Sequence, residues 1–399
     1  MSLRFLTAGE SHGPSLTAIL EGIPAGLFIT SEIINKELTR RQKGYGSGGR
    51  MKIEHDTVQI LGGVMAGETT GAPIAMLVEN IDHAKWKGKA VEPMTSPRPG
   101  HADLTGAVKY GYRDLRPALE RASARETTMR VAAGAVCKHF LTQFGIVVGG
   151  YVASIGEIQA DFGDMPYDER FARAEESDVR CPIESSAQKM RDEIENAIRG
   201  KNTLGGILEI VALNLPVGLG SFMQWDKRLE AKLAMAVMSV QAIKGVEVGD
   251  AFNNAKRLGT QAHDPINLRP ATFDPSTGSG QRLQRATNRA GGTEGGISNG
   301  QPIVIRAAMK PIATTLTPQQ TVDLALGENA PTQYERSDFC PVPRAVPILE
   351  AMVAFVLADT LLEKLGGDSM SEIKPRFDSL RKATLDDLQM DNTPHVFWE

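Results

Sequence analysis

Short apolar runs rich in β-branched residues occur at 57–64, 74–78, Val147–Ile155, 207–213 and 303–307, each bounded by Gly, Pro or Asn, and these predict strands. Between them, apolar residues recur at three- and four-residue spacing over Ser31–Gln42, 117–144, 187–199, 227–240 and 344–365, the period of helices. Within 117–144 the residues Ala118, Ala122, Met129, Ala132, Ala133, Val136 and Phe140 form a narrow, alanine-rich face suited to close packing, so a buried central helix is expected. The 344–365 stretch carries Val346, Leu349, Val353, Val356, Leu357 and Leu361 over two faces and should also be covered on most sides. By contrast, 187–199 sets a thin stripe of Met190, Ile194 and Ile198 among charges, the pattern of a surface helix. Its 40 glycines and 22 prolines are spread along the chain and no fixed-period repeat interrupts it, so one intertwined domain over 1–399 is expected.

Composition narrows the class. With 399 residues, 41% hydrophobic and 23% charged, the chain can bury a large core. Its net charge of -4 excludes a whole-chain nucleic-acid or membrane-surface binder, which would carry a basic field, so any anion site must be local. Cys137, Cys181 and Cys340 are odd in number and far apart, which indicates neither a disulfide framework nor a metal site and fits a cytoplasmic location. The start of the chain has no apolar signal core, and the most apolar stretch, 348–362, is interrupted by Glu350 and Asp359, so no membrane segment is expected.

Against that acidic background two basic stretches stand out. Lys36, Arg40, Arg41, Lys43, Arg50 and Lys52 face one acid, Glu37. Gly44, Gly46 and Gly49 among them formally satisfy G-x-G-x-x-G, but a helix-like segment precedes them where the dinucleotide fingerprint needs a strand. The segment 44–49 is therefore read as a loop able to close over an anion. The second stretch holds Arg98, Lys109, Arg113, Arg116, Arg121, Arg125 and Arg130, whose arginine forks suit phosphate and carboxylate. Arg121 and Arg125, four residues apart on the expected helix, should point into one cavity. His12, in a turn-rich start, and His101 are candidate proton donors at physiological pH. The glycine-rich segment 288–300 is expected to let backbone approach a flat ligand, and a strand then leads into Met309-Lys310-Pro311-Ile312-Ala313-Thr314-Thr315. Glu335-Arg336-Ser337-Asp338 follows.

Taken together, the segments 7–12, 40–50, 98–103, 121–127, Gln241-Ala242-Ile243-Lys244-Gly245-Val246-Glu247 and Arg336-Ser337-Asp338 resemble, in order, the signature segments of chorismate synthases, and the resemblance spans nearly the whole chain. It implies an α+β fold, a single-domain β-α-β sandwich in which antiparallel sheets enclose helices, with subunits assembled as a homotetramer. It implies anti-1,4-elimination of phosphate from 5-enolpyruvylshikimate 3-phosphate to give chorismate, on the shikimate pathway to aromatic amino acids. The implied cofactor is reduced flavin mononucleotide (FMN), a transient electron donor in a reaction that is redox-neutral overall.

Residue by residue, the resemblance maps flavin contacts onto Arg121, Ala122, Ser123, Gln241, Ala242, Gly295, Lys310, Pro311, Ile312, Ala313, Thr314 and Arg336. His12 matches a histidine implied to protonate the reduced flavin, His101 one that assists the departing phosphate, and Asp338 an acid that helps flavin N5 take up a substrate proton. Arg41, Ser47, Arg50, Arg98 and Arg125 fall at substrate or nicotinamide-phosphate positions. Two departures are visible: Ser47 stands where many relatives carry arginine, removing a cation, and Ala122 where many carry serine.

An additional NADPH-dependent flavin reductase activity is the alternative within the same family. A non-catalytic polyanion- or RNA-binding module is disfavoured, because only Tyr45, Tyr110 and Tyr112 supply nearby aromatics and the histidines and Asp338 would be left without a role.

Overall fold

The structure, a computed structural model, describes residues 2–46, 55–269, 282–335, 337–388 and 390–397. Two antiparallel sheets carry it. The first orders its strands Arg4–Ala8, Ser15–Glu21, Ile74–Glu79 and Val58–Gly62. The second runs Ile243–Val248, Ile303–Met309, Gly206–Leu213, Val147–Ile155 and the short Ile158–Gln159. In the first sheet Leu16, Ala18, Leu20, Ile74, Met76 and Val78 turn inward and are buried, whereas Leu6 and Ile19 stay exposed, the alternation of a sheet covered on one face.

Helices fill the space between. Thr127–Thr142 packs on the first sheet and against Val342–Leu365, which in turn lies on the second sheet. Ser31–Gln42 and Leu229–Met238 flank the pair. The expected α+β sandwich, sheets enclosing helices, is therefore observed.

The alanine-rich face explains how the two central helices approach. A Cβ at Gly134 would overlap the side chain and backbone of Ala351, so the backbones meet where both residues are small. Val342–Leu365 is long and apolar enough to cross a membrane, but 89% of its most apolar window is buried in the protein, which makes it a core helix. Its Glu350 is fully buried between Arg40 and Lys138. The surface helix is also as expected: Glu184–Arg199 buries only Ala187, Met190 and Ile194.

One expectation fails instructively. The single helix over 117–144 is broken: Arg116–Arg121 ends at Ala122, Ser123 turns extended (φ -63°, ψ 142°), and a 3-10 turn Ala124–Glu126 precedes Thr127–Thr142. The Ser123 hydroxyl accepts from the Arg125 backbone N–H, the local bond by which serine competes with helix continuation. Among the glycines of 288–300, a Cβ at Gly295 would meet open space, whereas three others are tightly packed. Gly291 abuts Gly249, Gly292 abuts Ile303 and Gly296 abuts Arg228, so their close approaches are to the protein's own chain.

Candidate functional site

The break after Ala122 borders a cavity of about 740 Å³, lined by loops that adjoin strands of both sheets and by residues of the helices. Arg41 reaches it from the last turn of Ser31–Gln42, where a cation also favours the helix C-terminus. Its Nε donates to Thr127 Oγ1 at 3.0 Å, Nη2 to the Ala124 carbonyl at 3.0 Å and Nη1 to Asp56 Oδ2 at 3.3 Å. Arg125 donates from Nε to Asn80 Oδ1 at 2.9 Å and from Nη1 to Asp56 Oδ1 at 2.5 Å. Burial pulls the Arg41 pKa down to about 9 against the opposing pull of Asp56, which still leaves it cationic at neutral pH.

Arg98 is held in the same manner by a second buried acid. Its Nε and Nη2 fork onto Asp103 at 2.8 and 3.0 Å, and Nη1 reaches Thr314 Oγ1 at 3.3 Å. His101 Nδ1 lies 2.6 Å from Asp103 Oδ1. Burial opposes ionisation of Asp103, but the His101 and Arg98 hydrogen bonds outweigh it and hold its pKa far below the usual carboxylate range.

His12 sits across the cavity with Nδ1 2.7 Å from Glu120 Oε1 and its ring 4.6 Å from that of Trp86. Asp338 pairs with Arg344, whose Nε donates to the Arg41 carbonyl at 3.2 Å, so the acid is tied back to the arginine cluster. Gln241 and Ala242 line another side, Ala242 in the left-handed region at φ 68°, a conformation that costs a non-glycine residue on the order of 1 kcal/mol. The Lys310 backbone N–H donates to the Ala242 carbonyl at 2.9 Å, and its ammonium closes onto the Gly100 carbonyl at 2.6 Å.

Thus His12, His101, Asp338, Arg41, Arg98, Arg125, Ala122, Ser123, Gln241, Ala242, Lys310, Ile312, Ala313 and Thr314 all line this one cavity. Arg121 does not, because the helix break turns it away: its Nη2 donates to the Thr7 carbonyl and hydroxyl, both at 2.9 Å. Gly295 is exposed beyond the start of Leu229–Met238, at the far end of that ten-residue helix from Gln241, about 15 Å away by helix rise. Pro311 is also absent from the lining. Ser47, Arg50 and Arg336 lie outside the described residues.

Sequence reasoning missed Asp56, Glu120, Arg344 and the Asp82, Lys85, Trp86 and Lys89 that line the cavity from the segment around the short helix Ile81–Lys85. Glu120 carried one weak signal, being an acid set inside a strongly basic stretch.

Buried arginines braced by internal carboxylates, two histidines and an acid around a small-molecule-sized cavity supply the chemistry that an enzyme acting on a multiply anionic ligand needs. Residues 3–362 match the sequence profile of the family described as chorismate synthase. The chain is 51% identical to the chorismate synthase of Sulfurihydrogenibium sp. (strain YO3AOP1), covering 96% of this chain and 99% of that protein. It is also 51% identical to that of Aquifex aeolicus (strain VF5), covering 94% and 96%. A crystal structure of a chorismate synthase superposes with a TM-score of 0.76 at 44% identity, covering 95% of this chain and 97% of that one. The chain belongs to the chorismate synthase family.

Proposed function

We propose that the chain eliminates phosphate from 5-enolpyruvylshikimate 3-phosphate to form chorismate, with reduced FMN as cofactor. The observation that carries this reading is the convergence of Arg41, Arg98 and Arg125 with His12, His101 and Asp338 on one cavity. A substrate with one phosphate and two carboxylates needs that many fixed cations, and each arginine here is oriented by a buried acid rather than left flexible.

The residues present also fit a flavin. Gln241 Oε1 is buried and has no partner among the described residues, and it lines the cavity beside the left-handed Ala242. Ala122, Ser123, Gln241, Ala242, Lys310, Ile312, Ala313 and Thr314 would hold the group, with Arg336 assigned by family position. When bound, reduced FMN supplies transient electron density that loosens the carbon–oxygen bond to phosphate. The arginines bind and orient the anion, His101 beside Arg98 meets the charge of departing phosphate, and His12 and Asp338 hold or move protons.

We read the protein as one cytoplasmic domain acting as a homotetramer. The exposed Leu6 and Ile19 sit opposite one another on the outer face of the first sheet, an apolar pair suited to subunit contact. The test is an anaerobic assay of phosphate release and chorismate formation with photoreduced FMN, oxidised FMN, or oxidised FMN plus NADPH. Product with reduced FMN alone supports a synthase without reductase activity, and product with NADPH as well adds that activity. Folded protein giving no product in any arm would overturn the assignment.

A further inference from the structure

Both histidines of the cavity are held through Nδ1 by a carboxylate: Asp103 Oδ1 at 2.6 Å for His101 and Glu120 Oε1 at 2.7 Å for His12. The Glu120 contact is the more elaborate. Its Oε2 also accepts the His12 backbone N–H at 2.7 Å, and its carbonyl accepts the Ser11 N–H at 3.3 Å. One residue thus grips the loop and the ring together. Trp86 packs on the ring, and His83 Nδ1 lies 2.9 Å from the His12 carbonyl, so the backbone beneath is pinned too.

An ionised carboxylate only accepts hydrogen bonds, so this geometry requires a proton on Nδ1 whether the imidazole is neutral or charged. Burial works against ionisation of Glu120, but the hydrogen bonds from the His12 ring and backbone prevail and keep its pKa below the ordinary value. We infer that Glu120 is a positioning residue that fixes His12 as its Nδ1–H form, so that any proton His12 exchanges with the cavity passes through Nε2. Glu120 stays ionised throughout; the bond broken or formed is Nε2–H alone. This rests on the proposed proton-moving role of His12.

The test uses the full chain with 15N-labelled histidine, the variants Glu120→Gln and Glu120→Asp, and His12→Ala to assign the signal. At a pH where the ring is neutral, wild type should show the Nδ1–H tautomer. In Glu120→Gln, whose amide can offer either an oxygen or an NH2, both tautomers should be populated. In the anaerobic assay kcat should fall by about 10-fold or more, the lower end of what is lost when a carboxylate that orients a histidine is removed, while KM and reduced-FMN affinity hold. Glu120→Asp should restore Nδ1–H and part of kcat, which a purely structural clamp on the loop would not require. An unchanged tautomer in Glu120→Gln, or an unchanged kcat, would overturn the inference. Full activity in His12→Ala would instead remove the role on which it rests, and the NMR result would show which of the two had failed.

Discussion

Asp56 Oδ1 meets Arg125 Nη1 at 2.5 Å, between side chains almost wholly withdrawn from solvent, while the other Asp56 oxygen lies 3.3 Å from Arg41 Nη1. Among the described residues, one buried anion therefore serves two buried cations.

Asp56→Asn should accordingly lower stability by about 3 kcal/mol, because two buried guanidinium groups lose a shared counter-charge together. Urea unfolding measures it. A change within about 0.5 kcal/mol, as for an ordinary surface substitution, would show that the arginines find other compensation.

His12→Ala and His101→Ala should each reduce kcat by about 10²- to 10⁴-fold with reduced-FMN affinity retained, since both side chains face the cavity but are assigned to proton and charge movement rather than anchoring. Anaerobic turnover and flavin titration separate the two effects. Normal turnover in both variants would contradict the assignment.

Acid should unfold the protein in part through Glu350. Burial opposes its ionisation, but Arg40 and Lys138 dominate and bring its pKa from 4.5 to about 2. A carboxylate with a depressed folded pKa contributes stability that is complete above the unfolded value and lost as pH falls from about 4.5 towards about 2. Chemical unfolding across that window should show Glu350→Gln with lower stability at pH 7 and a shallower decline in acid. Parallel curves would exclude the residue from the acid response.

Gly134→Ala should destabilise by about 1–3 kcal/mol through overlap with Ala351, although the same change in an unencumbered helix interior stabilises by about 0.5–1 kcal/mol. The sign of the shift in thermal unfolding is the readout. An increase would mean that the two central helices separate at little cost.

Much of the fold was legible because it rests on local periodicity. Ser31–Gln42 and Val147–Ile155 were read with the bounds observed, and the cores of Gly206–Leu213, Ile303–Met309 and Val342–Leu365 were found. The strands Arg4–Ala8 and Ser15–Glu21 were not among the expected strands, being short and mixed in polarity. The break at Ser123 was hidden because the sequence around it keeps helical spacing, while one serine hydroxyl decides the outcome.

The chain by itself determined the chemistry on offer: arginine and histidine clusters in an acidic protein, and an ordered set of segments that marks the family. Those are properties of residue type and order, which survive without coordinates. Only the tertiary structure decided which of these groups meet, separating Arg125 from Arg121 and placing Gly295 away from the cavity. It also supplied Asp56, Glu120 and Arg344. Counter-charges for buried cations come from wherever the packed chain can deliver a carboxylate, and that proximity has no sequence period.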